Sequence, residues 1–209
     1  MSTRATYEFI SESADLNGCG QFESATFVYV HYDNYPEGAA VYFYETLTNP
    51  SKGNFATQFI RANTCAEITK SHEYHGDTEY KYVVTGTGPR SNVKCYSIRR
   101  RWGDGEDSVE LEFDGNVCDF IDKNKSMIKD YHPFKEVSIK YCGSPQMMNL
   151  ETAKKYLEGD FGPLHNLRTW TGKFEGSSNW ESSVQNIRFV IEKFPELMTD
   201  EINRHLAAK

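Results

Sequence analysis

Polar and apolar residues alternate early in the chain and give way to helical spacing later. ATYEFI (5–10) reads as a short first strand, and SESADLNGCGQFES (11–24), full of turn formers, as the loop after it. ATFVYVHYD (25–33) is rich in β-branched and aromatic residues, the composition of a strand with at least one buried face. Pro36 suits the first position of a helix, Glu37 adds a carboxylate to its positive end, and AAVYFYETL (39–47) continues it until NPSKGN. FATQFIRANTCAEI (55–68) sets Phe55, Phe59, Ala62 and Ala66 on one stripe and predicts a second helix. DTEYKYVVTG (77–86) returns to alternation and predicts a strand.

NVKCYSIRRRW (92–102) and DSVELEFDG (107–115) flank Asp104-Gly105, a favoured two-residue hairpin turn. That turn pairs Arg99 with Glu110, Ile98 with Leu111 and Tyr96 with Phe113. In such a hairpin the side chains of Arg99, Arg100 and Arg101 alternate between faces and cannot form one phosphate-binding patch. VSIKYC (137–142) predicts a further strand. Beyond it, NLETAKKYLEGDFG (149–162) reads as a helix capped by Asn149, and GKFEGSSNWESS (172–183) as a loop or hinge. Val184, Ile187, Ile191 and Phe194 then fall at helical spacing before Pro195, and Thr199 can cap a last helix carrying Ile202 and Leu206. Strands first and helices after predict an α+β fold, with an antiparallel-rich sheet domain over 1–142 and a mostly helical extension over 143–209. The Val184–Phe194 stripe is either a core stripe or a seam for homo-oligomer formation.

Composition narrows the function classes. The 209 residues carry 23 Lys and Arg against 30 Asp and Glu, a net charge of −7. Residues 1–69 hold only Arg4, Lys52 and Arg61 against eight carboxylates, a net of −5. Nucleic-acid binding needs clustered positive charge, so direct nucleic-acid contact is not expected, whereas a basic protein partner is compatible. No apolar run approaches the roughly 18–20 residues of a membrane span, and MSTRATYEFI has no secretion signal; the expectation is a soluble cytoplasmic protein. The five cysteines, Cys19, Cys65, Cys95, Cys118 and Cys142, lack metal or redox spacing and read as free, mostly buried thiols.

Three stretches carry a resemblance: Thr3-Arg4-Ala5, the corner Tyr29-Val30-His31-Tyr32-Asp33-Asn34-Tyr35-Pro36-Glu37-Gly38, and Asp77-Thr78-Glu79-Tyr80-Lys81-Tyr82. With them the first 100 or so residues resemble a set of small uncharacterised proteins of phages, prophages and other mobile elements. These share an (S/T)RA start, a YxHxDGYPEG corner and a DxEYxY strand. Asn34 stands where that pattern has glycine; asparagine is the next residue best suited to positive φ, so the turn can survive. The resemblance implies a mobile-element protein, many of which serve in the conflict between phage and host, in the host cytoplasm if phage-encoded.

The corner can be read as architecture, with Asp33 accepting helix-start N–H groups, Asn34 making the turn and Pro36 setting the first helical residue. It can also be read as a recognition surface made of His31, Tyr32, Asp33, Tyr35 and Glu37, since exposed tyrosines are common binding anchors. An enzyme reading would take His31, Asp33, His72 and His75 as metal ligands of a hydrolase acting on nucleic acid or nucleotide. No GxSxG elbow or phosphate-cradling loop appears, and no catalytic residue or cofactor is assigned. The expectation is a non-enzymatic inhibitor of the counter-defence, anti-CRISPR-like kind. It would occupy a host protein or nucleoprotein complex with a basic surface.

Overall fold

Strands β1 (Ala5–Ala14) and β2 (Gln21–Val30) pair antiparallel from Ala5↔Val30 to Ala14↔Gln21. The computed structural model describes residues 3–14, 21–49, 52–100, 107–140, 142, 144–170 and 177–207. The chain divides into two compact units, Met1–Tyr131 and His132–Lys209. Much of the polar stretch expected as a loop is therefore strand. The ladder runs on through Ser11 and Ser24, whose hydroxyls bond at 2.8 Å, because inter-strand hydrogen bonds outweigh weak local propensity.

In the first unit a six-stranded sheet runs in the order β3 (Ala66–Thr69), β2, β1, β4 (Tyr80–Thr85), β5 (Asn92–Arg99), β6 (Ser108–Asn116), with β1 and β4 parallel and the other neighbours antiparallel. Helices α1 (Pro36–Thr48), α2 (Phe55–Ala62) and α3 (Val117–Lys123) pack on one face. Phe43 and Phe59 meet Tyr7 with ring centroids 5.9 and 4.6 Å apart, and Phe120 meets Tyr82 at 6.0 Å. Helix α2 stops at Ala62 instead of reaching residue 68. Asn63 turns the chain by accepting from Cys65 N at 3.1 Å, and β3 (Ala66–Thr69) joins the free edge of β2. Helix α3 lacks a sequence expectation, although Asn116 caps it by accepting from Cys118 N at 2.7 Å.

The β5 (Asn92–Arg99) and β6 (Ser108–Asn116) hairpin forms in a different register from the expected one. Arg99 lies opposite Ser108, Ile98 opposite Val109 and Tyr96 opposite Leu111. Then the register shifts between Cys95 and Tyr96, so that Cys95 lies opposite Phe113. Glu112 is the extra, unpaired residue of this bulge. Arg99 still reaches Glu110 diagonally at 3.8 Å, and Arg100 pairs with Asp107 at 2.6 Å. Arg101 and the Asp104-Gly105 turn lie outside the described residues.

The second unit begins at His132. Of the strand expected over 137–142 only Val137 is strand among the described residues, as the end of β7 (Lys135–Val137), which pairs with β8 (Gln146–Met148). Helices α4 (Leu150–Glu158), α5 (Pro163–Trp170), α6 (Ser178–Lys193) and α7 (Asp200–Ala207) follow. Asn149 and Thr152 form a reciprocal capping box at the start of α4. Ser177 caps α6 through Trp180 N, which makes helix of residues 178–183 where a hinge was expected. Ile187, Ile191 and Phe194 are buried in this unit's own core, with Val184 packed against it, so the stripe faces inward. Among the described residues no helix is long and apolar enough to cross a membrane.

Candidate binding site

The corner between β2 and α1 is built around Asn34, which is fully buried. Its side-chain carbonyl accepts from the Tyr7 hydroxyl at 2.7 Å, and its amide donates to the Val30 and Tyr32 carbonyls. Its backbone carbonyl accepts from the Tyr82 hydroxyl at 2.8 Å, and its N–H donates to Thr3 O at 3.2 Å. Two strand tyrosines thus find in one loop residue the partners that buried hydroxyls need. Asparagine is accordingly required for its side chain, and the positive φ expected of it falls to Asp33 instead, at 53°. A Cβ on Gly38 would come within 1.7 Å of the Asp33 carbonyl oxygen, so the first turn of α1 can seat on the corner only with glycine there.

This scaffold sends the five expected recognition residues in two directions. His31 pairs with Glu67 at 3.3 Å and packs edge-on to Tyr29 at 4.6 Å. Tyr32 remains 55% exposed and Asp33 is exposed beside it. Tyr35 and Glu37 instead line a cleft of about 270 Å³ with Tyr80, Cys95, Glu112, Phe113, Phe120 and Lys123. The Tyr35 hydroxyl donates to Met127 sulfur at 2.9 Å.

Sequence reasoning missed Tyr80, Glu112 and Phe113 as partners of the corner. Consecutive residues of a regular strand point to opposite faces, yet Glu112 and Phe113 both line the cleft. The bulge at Glu112 makes that possible, and bulges are invisible to an alternation pattern. Burial, then the charge of Glu112, the Cys95 thiol and Glu37, push the Tyr80 phenol above its usual range. Burial pushes the Cys95 thiol at the cleft floor up to about 12, so it is a protonated wall rather than a nucleophile.

The four residues of the metal reading do not converge. His75 stacks on Tyr29 at 3.7 Å and bonds Thr69 Oγ1 at 2.9 Å, and the Tyr29 hydroxyl donates to Asp77, itself paired with Arg4 at 3.1 Å. His72 is buried between Thr6 Oγ1 at 2.6 Å and Glu8 at 3.2 Å. Glu8 can only accept, so Nε2 carries the proton and Nδ1 accepts from Thr6, the tautomer of a neutral ring. Burial, aided by Lys81, holds the His72 pKa below its ordinary value despite Glu8. Thr6, the second residue of β1, is fully buried, so its hydroxyl in this threonine–histidine–glutamate chain is not an accessible nucleophile. Among the described residues no three His, Cys, Asp or Glu side chains are grouped as metal ligands. No protein-family model, no curated protein and no solved structure matches the chain.

Proposed function

We propose that this chain is a non-enzymatic binding protein whose corner seats on a basic surface of a partner protein. The observation that carries the reading is the contrast within three residues: Asn34 is wholly buried and bonded on all sides, while Tyr32 is 55% exposed and Asp33 points an acid outward. A tyrosine displayed on an immobilised loop loses little conformational entropy on binding. The net charge of −5 over residues 1–69 draws a positive surface toward that corner. The resemblance to mobile-element proteins makes a host protein the expected partner, and a nucleic-acid-binding complex, whose groove is basic, the expected class.

A pair of fluorescent peptides of equal length, one arginine-rich and one glutamate-rich, tests this by anisotropy. The arginine-rich peptide should bind and should weaken as salt rises from about 50 to about 300 mM, as screening shortens the reach of exposed charges. Tyr32→Ala combined with Asp33→Asn should narrow the difference between the peptides. Equal binding of both peptides, or no change in the double variant, would overturn the reading.

A further inference from the structure

We propose that the cleft beside the corner binds an organic cation, an alkylammonium or guanidinium head, carried on a Lys or Arg side chain of the partner. The inference rests on the reading above and adds a distinct pocket to it. Its walls combine aromatic rings, from Tyr35, Tyr80, Phe113 and Phe120, with the carboxylates of Glu37 and Glu112. Ring faces attract cations through their quadrupole, and carboxylates at the rim supply the opposite charge. The volume of about 270 Å³ suits one long side chain and is small for a peptide segment.

Three further features point the same way. The β5–β6 ladder is interrupted at Glu112, and that interruption puts its carboxylate on the same side as Phe113. Neither Glu37 nor Glu112 has an ion-pair partner among the described residues. Lys123, exposed at the end of α3, holds its ammonium 5.5 Å from the Phe113 ring centroid. A cation of the chain itself therefore already sits on one aromatic wall and competes with an incoming one.

The test is a titration of the full chain, followed by ¹H–¹⁵N spectra, with N-acetyl-arginine amide, N-acetyl-lysine amide and the neutral N-acetyl-norleucine amide. The cationic probes should shift residues 35–37, 80, 112–113 and 123–124, and the neutral probe should not. Glu112→Gln should weaken the cationic probes about threefold to tenfold, and Lys123→Gln should strengthen them. Both substitutions are at exposed positions and keep side-chain size, so folding is retained. No shifts at these residues, equal shifts with norleucine amide, or unchanged affinity in Glu112→Gln would overturn the cleft assignment.

The peptide measurement separates this failure from failure of the function. Salt-sensitive peptide binding that ignores Glu112→Gln leaves the corner reading standing and removes the cleft from it. Cleft binding of the amides without any peptide binding makes the pocket a site for a free organic cation and removes the partner's side chain. A higher affinity for arginine within the peptide than for free arginine amide supports the partner as its source.

Discussion

The two units solve the burial of polar groups differently. In His132–Lys209 the core is mainly aliphatic, including Leu157, Leu164, Leu167, Ile187, Val190 and Ile202. Its buried polar residues serve nearby backbone: Asn149 caps α4, and Asn186 accepts from Lys140 N at 2.7 Å. In Met1–Tyr131 the largest buried side chains are aromatic, led by Tyr7, Tyr29, Tyr82, Phe43, Phe59 and Phe120, and two of those hydroxyls end on Asn34. In the second unit, by contrast, Asn149 and Asn186 satisfy backbone N–H groups. A tyrosine core needs polar partners, and here it draws them from the corner that displays Tyr32 and Asp33. Core and candidate site are thus one structure in the first unit.

Substitutions can break that contrast, and the largest effect is expected from Gly38→Ala. Its Cβ would meet the Asp33 backbone carbonyl, which cannot swing away as a flexible side chain could. A loss of about 4 kcal/mol or more is expected in urea unfolding, with faster amide exchange over 28–44. Tyr7→Phe keeps the ring and removes the hydroxyl, leaving the Asn34 carbonyl oxygen buried without that partner. It should cost about 2 kcal/mol and lower the affinity for the arginine-rich peptide as the corner loosens. A neutral result in both measurements would break the link between core and corner.

The polar chain at His72 gives a smaller, pH-dependent effect. Its folded pKa lies below the ordinary value of 6.5, so below that pH the unfolded chain takes up the proton first. Stability is complete above 6.5 and falls as pH drops toward the folded pKa, by at most about 1.4 kcal/mol per pH unit. His72→Gln should flatten unfolding free energy against pH in that window; an unchanged slope would assign the dependence elsewhere. The smallest effect is expected in the second unit, where Leu167→Met conserves volume in a mainly aliphatic core. It should cost less than about 1.5 kcal/mol and leave peptide affinity unchanged.

Elements whose ends are marked by local chemistry were legible in the sequence: α1 with Pro36 at its first position, α4 with its Asn149 cap, and the α+β class itself. What escaped was decided by partners distant along the chain. Ser11 and Glu12 are strand because β2 lies beside them, and Ala66 is strand because the edge of β2 was open. The Asn34 position was read as a turn formed by local φ preference, whereas Tyr7 and Tyr82 set its role. The five recognition residues were expected on one surface, whereas Tyr32 and Asp33 lie exposed and Tyr35 and Glu37 line the cleft. The division of Tyr35 and Glu37 into a cleft depended on a bulge about 75 residues away that no periodicity announces.

The most direct measurement of the central claim is affinity capture from host-cell extract across a salt series, with the wild-type chain and the Tyr32→Ala, Asp33→Asn variant as paired baits. The account predicts a basic protein retained by the wild type at low salt, released as salt rises, and missing from the variant. The same proteins on both baits, or retention indifferent to salt, would contradict it.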